Sequence, residues 1–321
     1  MATIYGPYIS AALFTALTWS SVFSSYNMKQ LVLFLALLCG AYVSGEWTSG
    51  LRVKFNIGFR PGTDFFFPLS RTVEDAKSEG WTLTERPTGP LPGLVMYCSK
   101  ERIVCTMFDM DENIAGLQIA IPKDEITGSR LDWPTQGWTE WTTTTSSGET
   151  TTFWTIQQYF VSEDTLKMSK EERVTAFGRA PEVLRENAVW VTGFNGELMR
   201  ISKNATDVEN SLFTRQACIP WMGRHYYYNM TSETTCTSNT LLPWFPIVHS
   251  GELIAMGLIA HGKLPVKSGE RDWFERPAKF AVQGIVPDGP QCLYDTAENP
   301  GIVTMHIYYV ENPWYIGCLT N

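Results

Sequence analysis

Nine short runs of β-branched, aromatic and other apolar residues, most of them closed by Gly, Pro, Asn or Asp, limit what this chain can fold into. They are LRVKFNIGF (51–59), GLVMYCS (93–99), RIVCTMFD (102–109), IAGLQIAI (114–121), TTFWTIQQYFV (151–161), NAVWVTGF (187–194), RHYYYNM (224–230), ELIAMGLIAH (252–261) and IVTMHIYYV (302–310). Runs of this length, composition and punctuation read as strands. Helical patterns are few: 72–78 behind a Thr72 cap, 277–284, and 169–188, where Ser169 and Glu172 form a capping box and Gly178 and Pro181 split the segment. The threonine-rich WTEWTTTTSSGETTTFW (138–154) is either a hairpin with its tip near Ser146, Ser147 and Gly148 or a flexible O-glycosylated loop, and its alternation and flanking Trp residues favour the hairpin. The expected fold is mainly β with a few short helices (α+β), built from antiparallel sheets.

The stretch MKQLVLFLALLCGAYVSGEW (28–47) has the three parts of a secretion signal. Lys29 supplies the positive region, 31–38 an apolar stretch too short to span a bilayer, and Val43 and Gly45 the small residues of a cleavage site. Residues 1–45 then read as an upstream extension plus the signal peptide Met28–Gly45. The alternative is a broken hydrophobic anchor over 8–43, interrupted by Lys29 and the serines at 20, 21, 24 and 25. Of the seven cysteines, Cys39 leaves with the signal, and six remain: Cys98, Cys105, Cys218, Cys236, Cys292 and Cys318. An even number in a secreted chain points to disulfides, and six cysteines allow about 15 connectivities. Local pairing is expected: Cys98 with Cys105 across a hairpin, Cys218 with Cys236, Cys292 with Cys318. A zinc cluster is disfavoured because no C-x-x-C occurs. Asn204-Ala205-Thr206 and Asn229-Met230-Thr231 are N-glycosylation acceptors. Secretion to the extracellular space is the expected localisation, with no stable membrane insertion once the signal is removed. The net charge of −8 and the lack of a basic run make nucleic acid a poor partner.

Displacing the chain against itself by 140 residues gives eight identities over 112–133, with shorter matches at FNIGF and WVTGF (55–59, 190–194), at TVED and TDVEN (72–75, 206–210), and at TIQQYF and TMHIYY (155–160, 304–309). The expected organisation is therefore two similar β-rich halves, 46–165 and 188–321, the second a duplicate of the first, joined by a helical linker at 166–187.

Motifs of high specificity are missing: there is no G-x-S-x-G, H-E-x-x-H, P-loop, dinucleotide fingerprint or EF-hand loop, which sets several large enzyme classes aside. All four histidines, His225, His249, His261 and His306, lie in the second half, and no spacing among them suits a metal pair. In the alignment His261 faces Ile121 and His306 faces Gln157. In the strand containing 224–228, alternation places Arg224, Tyr226 and Tyr228 on one face and His225 and Tyr227 on the other. The candidate catalytic residues are His225 or His306 as the base and Arg224 as a cation on the other face, and Trp221, Tyr226, Tyr228 and Tyr308 are the candidate ligand contacts. An amphipathic strand with half-buried tyrosines accounts for the same pattern.

The strings ACIPWMGRHYYYNM (217–230), GPQCLYDTAENPG (289–301) and TMHIYYV (304–310) resemble orphan secreted glycoproteins of invertebrates, the luciferases of syllid worms among them. The resemblance implies a secreted enzyme that uses molecular oxygen on an aromatic small molecule and needs no protein-bound cofactor. The residues alone suggest a glycoprotein that binds a small aromatic molecule or a saccharide in an aromatic cleft.

Overall fold

Every one of the nine runs contains a strand. The computed structural model describes residues 47–54, 65–145, 148–178 and 182–318. The signal segment, the upstream extension, the 55–59 part of the first run, the hairpin tip at Ser146 and Ser147, and Pro181 all lie outside these residues. In chain order the strands are β1 (Ser49–Lys54), β2 (Phe66–Pro68), β3 (Thr82–Thr84), β4 (Val95–Cys98), β5 (Val104–Phe108), β6 (Ile114–Pro122), β7 (Thr139–Thr144), β8 (Thr150–Tyr159), β9 (Ala188–Thr192), β10 (Leu198–Ser202), β11 (Phe213–Ile219), β12 (Gly223–Tyr228), β13 (Trp244–His249), β14 (Glu252–His261) and β15 (Ile302–Val310). The helices are α1 (Val73–Ser78), α2 (Glu163–Lys167), α3 (Lys170–Phe177), α4 (Ala205–Glu209), α5 (Lys279–Ile285) and α6 (Gln291–Glu298). Thr72 caps α1 by accepting from the Asp75 N–H, and Ser169 with Glu172 closes the capping box of α3.

Two antiparallel sheets result, ordered β11-β12-β13-β14-β15-β1-β2 and β10-β9-β8-β6-β5-β4-β3, with β7 paired to β8. The threonine hairpin forms as its alternation requires: Thr142 pairs with Thr152 and Thr144 with Thr150, and their hydroxyls bond across the ladder at 2.9 and 3.3 Å. The sheets share one apolar core, with Leu117, Ile119, Ile156 and Val191 of one and Val53, Met256, Leu258 and Ile307 of the other in a single buried cluster. Burying each such side chain contributes about 1.5–3 kcal/mol. Polar bonds also cross the core, among them those from the Tyr309 hydroxyl to Gln158 Oε1 at 2.6 Å and from Trp244 Nε1 to the Thr192 carbonyl at 3.0 Å.

The two strand orders are the same order written twice. β3, β4, β5, β6 and β8 take the places of β11, β12, β13, β14 and β15, and β9 and β10 those of β1 and β2. The correspondence extends to register. A bulge falls between Met107 and Phe108 in one hairpin and between Ile247 and Val248 in the other. The entries to the small helices also match: Thr72 bridges Asn113 and Asn204 bridges Glu252, while Val73 N–H donates to the Glu112 carbonyl and Ala205 N–H to that of Gly251.

Each half lends two strands to the other's main sheet. β1 and β2 complete the sheet of the second half, and β9 and β10 that of the first. The boundaries at 165 and 188 therefore do not separate one sheet from the other, and Thr48–Asn321 is a single unit.

The 140-residue displacement is one residue out of register in β6 and β14. Met107 faces Gly116 where Ile247 faces Ala255, so the second strand corresponds at 139 because its hairpin loop is one residue shorter. Side chains alternate, so the identities at 140 fall on opposite faces. The match of 155–160 to 304–309, in contrast, is the register of the sheets: Gln157 faces Gln118 as His306 faces Gly257.

Three disulfides brace the fold. Cys98–Cys105 is the expected hairpin pair, but the other two are nested rather than local: Cys218 joins Cys318, and Cys236 joins Cys292 within that loop. The local pairings, Cys218 with Cys236 and Cys292 with Cys318, fail because a strand lies between the members of each pair. Cys218 sits opposite Arg224 near the start of β12, whereas Cys236 follows its far end. Cys292 precedes β15 and Cys318 follows it. A six-residue strand already separates its ends by roughly 20 Å, beyond the reach of a disulfide.

Candidate functional site

The face of the second-half sheet that points away from the core is the one that carries His225. Alternation puts Tyr227 with it on β12, Phe245 on β13, Gly257 and Ile259 on β14, Thr304, His306 and Tyr308 on β15, and Lys54 on β1. Gly257 leaves room that a side chain would fill, since a Cβ there would lie 1.9 Å from the Phe245 ring. Helices α5 and α6 cover this face with Val282 and Leu293, and α6 is held by Cys236–Cys292 and by Lys279 Nζ to Asp295 and Glu298 at 3.1 and 2.8 Å. A cavity of about 60 Å³ remains between sheet and helices. Its walls include His225, His306, Tyr227, Glu275 and the apolar side chains of Met222, Phe245, Ile259 and Val286.

At its polar end is a buried chain of charge. Lys54 Nζ lies 3.0 Å from Glu275 Oε1, and the same oxygen lies 3.1 Å from His306 Nδ1. All three side chains are at most 4% exposed. A carboxylate oxygen can only accept, so His306 carries a proton on Nδ1 and donates it to Glu275. Burial alone would raise the Glu275 carboxyl, but the His306 imidazole and the Lys54 ammonium outweigh it and hold it below the usual range. The His225 and His306 rings meet edge to face, their centroids 5.8 Å apart. Burial, reinforced by His306, pushes His225 down to about 3, against smaller opposing effects from the Gly223 and Ala217 carbonyls and Glu275. It is therefore a neutral imidazole at physiological pH. Burial likewise raises the Tyr227 and Tyr308 phenols, with Glu275 adding to both.

Of the residues singled out from the sequence, His225, His306 and Tyr308 meet here. Trp221 contributes its carbonyl, which accepts from the Tyr308 hydroxyl at 3.3 Å. Arg224, Tyr226 and Tyr228 do not reach the site, because they occupy the other face of β12. Arg224 donates to the Gln216 carbonyl at 3.1 Å, the Tyr226 hydroxyl to Glu209 at 2.6 Å, and Tyr228 packs edge-on against Phe194 and Phe213. Glu275 and Lys54 escaped notice. The first lies in a connection without periodicity, and the second reads as an ordinary strand lysine 252 positions from His306.

The first half shows what this framework does without a site. By register, Gln157 stands where His306 stands, Thr192 where Lys54 stands, Thr139 where Glu275 stands and Met96 where His225 stands. There the polar groups are neutral: the Thr192 hydroxyl bonds the Gln157 backbone at 3.0 Å and Gln157 Nε2 bonds Gln118 Oε1 at 3.1 Å. The Cys98–Cys105 disulfide takes the place of the Tyr227 and Phe245 rings, which stack 4.7 Å apart.

A larger groove of about 440 Å³ lies beside 264–276, but many of its charges are engaged: Lys267 with Glu125, Arg276 with Asp272, and Arg271 over Trp273. Among the described residues no three His, Cys, Asp or Glu side chains are placed to hold a metal ion, and no helix is long and apolar enough to cross a membrane. Comparison of the chain with protein-family models, curated proteins and solved structures finds no match.

Proposed function

We propose that this is a secreted, N-glycosylated protein that binds a small aromatic molecule by seating its hydroxyl end in the imidazole cavity of the second half. The observation that carries this reading is the buried Lys54–Glu275–His306 chain opening on an apolar cavity beside the neutral imidazole of His225. A buried charge chain is a costly way to stabilise a fold, and the matching positions of the first half manage with Gln, Thr and Met. The cavity's size supports entry hydroxyl-first, since a cavity that takes a whole benzene ring is about 150 Å³. Its apolar walls suit a ring better than a saccharide.

The Glu275–His306 bond favours a second reading. A carboxylate that orients one ring nitrogen leaves the other as a general base. An aromatic substrate deprotonated there, away from water, would react with dioxygen, as the resemblance to syllid-worm luciferases implies. Titrating 4-fluorophenol by fluorine NMR, with oxygen uptake recorded alongside, tests both readings. His306→Gln, which copies Gln157, is expected to weaken binding at least about tenfold. Equal binding by the wild type and the variant would refute the site, and oxygen uptake at background across a panel of phenols would remove the enzyme reading.

Both acceptor asparagines are exposed. The Asn204 cap uses Oδ1, which accepts from the Thr206 N–H at 2.9 Å and leaves the amide nitrogen for a glycan. Digestion of the secreted protein with an N-glycosidase should lower its mass by two glycans, and Asn204→Gln with Asn229→Gln should abolish the shift. An unchanged mass would count against secretion through a glycosylating compartment.

A further inference from the structure

We infer that the cavity selects uncharged molecules that donate a hydrogen bond, with His225 Nε2 as the acceptor. This rests on the reading of the cavity as a ligand site and adds the class of ligand it takes.

His225 is fully buried, and its Nδ1 lies 3.2 Å from the Gly223 carbonyl. A carbonyl can only accept, so Nδ1 carries the proton and Nε2 presents a bare lone pair. That nitrogen is buried and has no hydrogen-bond partner among the described residues. Met222, Phe245 and Val286 in the cavity wall have no side-chain N–H or O–H, and the Tyr227 and Thr304 hydroxyls, which also line it, do not bond this nitrogen. A buried acceptor left unpaired is costly, and the cost is relieved only by a molecule that brings its own O–H or N–H. An anion would meet the lone pair and the Glu275 carboxylate, and would have to leave water for an apolar cavity with no Lys or Arg among its described lining residues. A cation would face the same desolvation, with Glu275 already paired to Lys54. An uncharged donor meets neither obstacle. A site built to hydrogen-bond a hydroxyl discriminates strongly against the isostere that lacks it.

The first half supplies the control, because Met96 occupies the position of His225. A thioether fills that space without needing a partner, so His225→Met should keep the sheet and remove the acceptor. The cavity of about 60 Å³ fixes the size of the probes. 2-Fluoroethanol and 1-fluoropropane have the same heavy-atom count and differ by a hydroxyl in place of a methyl, and fluoroacetate adds the anionic case.

Fluorine NMR titrations of the wild-type protein should show 2-fluoroethanol binding at least about tenfold more tightly than 1-fluoropropane, with fluoroacetate unbound. The preference for the alcohol should disappear in His225→Met. Equal affinity for the alcohol and the alkane would overturn the selectivity while leaving the cavity as a binding site. Binding of neither would overturn the ligand-site reading itself. Retention of the full preference in His225→Met would show that another group is the acceptor. If that variant does not fold, the comparison of alcohol, alkane and acid on the wild type still decides the selectivity.

Discussion

Replacing Glu275 by alanine is expected to cost about 3–5 kcal/mol of folding stability, measured by denaturant unfolding with the disulfides intact. The carboxylate is the shared partner of Lys54 and His306, at 3.0 and 3.1 Å, in a place where water does not reach. Removing it takes from a buried ammonium and a buried imidazole N–H the carboxylate they share, and the desolvation cost of those groups remains while that attraction is gone. The first half indicates how to restore balance. The triple variant Lys54→Thr, Glu275→Thr, His306→Gln reproduces Thr192, Thr139 and Gln157, and it should return most of the lost stability because no charge remains buried. It should also lose the ligand binding expected of the wild type. Loss of less than about 1 kcal/mol in Glu275→Ala would mean that solvent screens the pair after all. A triple variant no more stable than the single one would mean that the correspondence between the halves does not extend to these side chains.

The protein is also expected to weaken steeply in acid. Burial pushes His225 down to about 3 and His261 to about 4, from 6.5. Both folded values lie below the unfolded one, so the unfolded chain takes up protons that the native chain refuses. The stability linked to these groups is fully present above about pH 6.5. It falls as the pH drops to about 4, where the His261 contribution is exhausted, and His225 continues to draw it down to about 3. Each pH unit in that window removes about 1.4 kcal/mol per group, so the two together remove on the order of 6 kcal/mol by pH 4, a large part of the roughly 5–15 kcal/mol of an ordinary domain. Glu275, held below its usual range, acts in the same direction as it is protonated at lower pH. His261 has no hydrogen-bond partner at either ring nitrogen among the described residues, so protonation brings no new bond to offset the buried charge. Unfolding midpoints at pH 7 and pH 4 test this, with the double variant His225→Met, His261→Leu expected to show the flatter profile. Equal midpoints for the wild type at the two values, or the same slope in the double variant, would show that these imidazoles are not the origin of any acid sensitivity.

Strands with strong alternation were legible from the residues, and weak or unusual ones were not. β3 is three residues long and β2 likewise, too short for a period to show. β11 carries Thr214, Arg215 and Gln216 in its middle and reads as polar. β13 contains Pro246, which argues against a central strand. It is tolerated because the described pairing of β13 with β12 involves only Ile247 and Val248. The caps at Thr72 and Ser169 were legible, because each is made by residues three positions apart, whereas the five-residue helices capped by Ser162 and Asn204 are too short to show a period. The disulfide partners were not, apart from the hairpin pair, because pairing depends on which strand ends lie together.

The sequence by itself determined which residues share a face, since alternation is a local property of an extended chain. His225 had to stand with Tyr227 and away from Arg224 wherever that strand was placed. It also determined that the two halves would differ in chemistry, because every histidine is in the second. Only the tertiary structure decided what His225 and His306 would meet. The exchange of β1 and β2 between the halves brings Lys54 beside His306, and a connection without periodicity brings Glu275 to both. Strand edges pair by the hydrogen bonds and apolar faces they offer one another. Nothing in the spacing of residues along the chain records which edge will win.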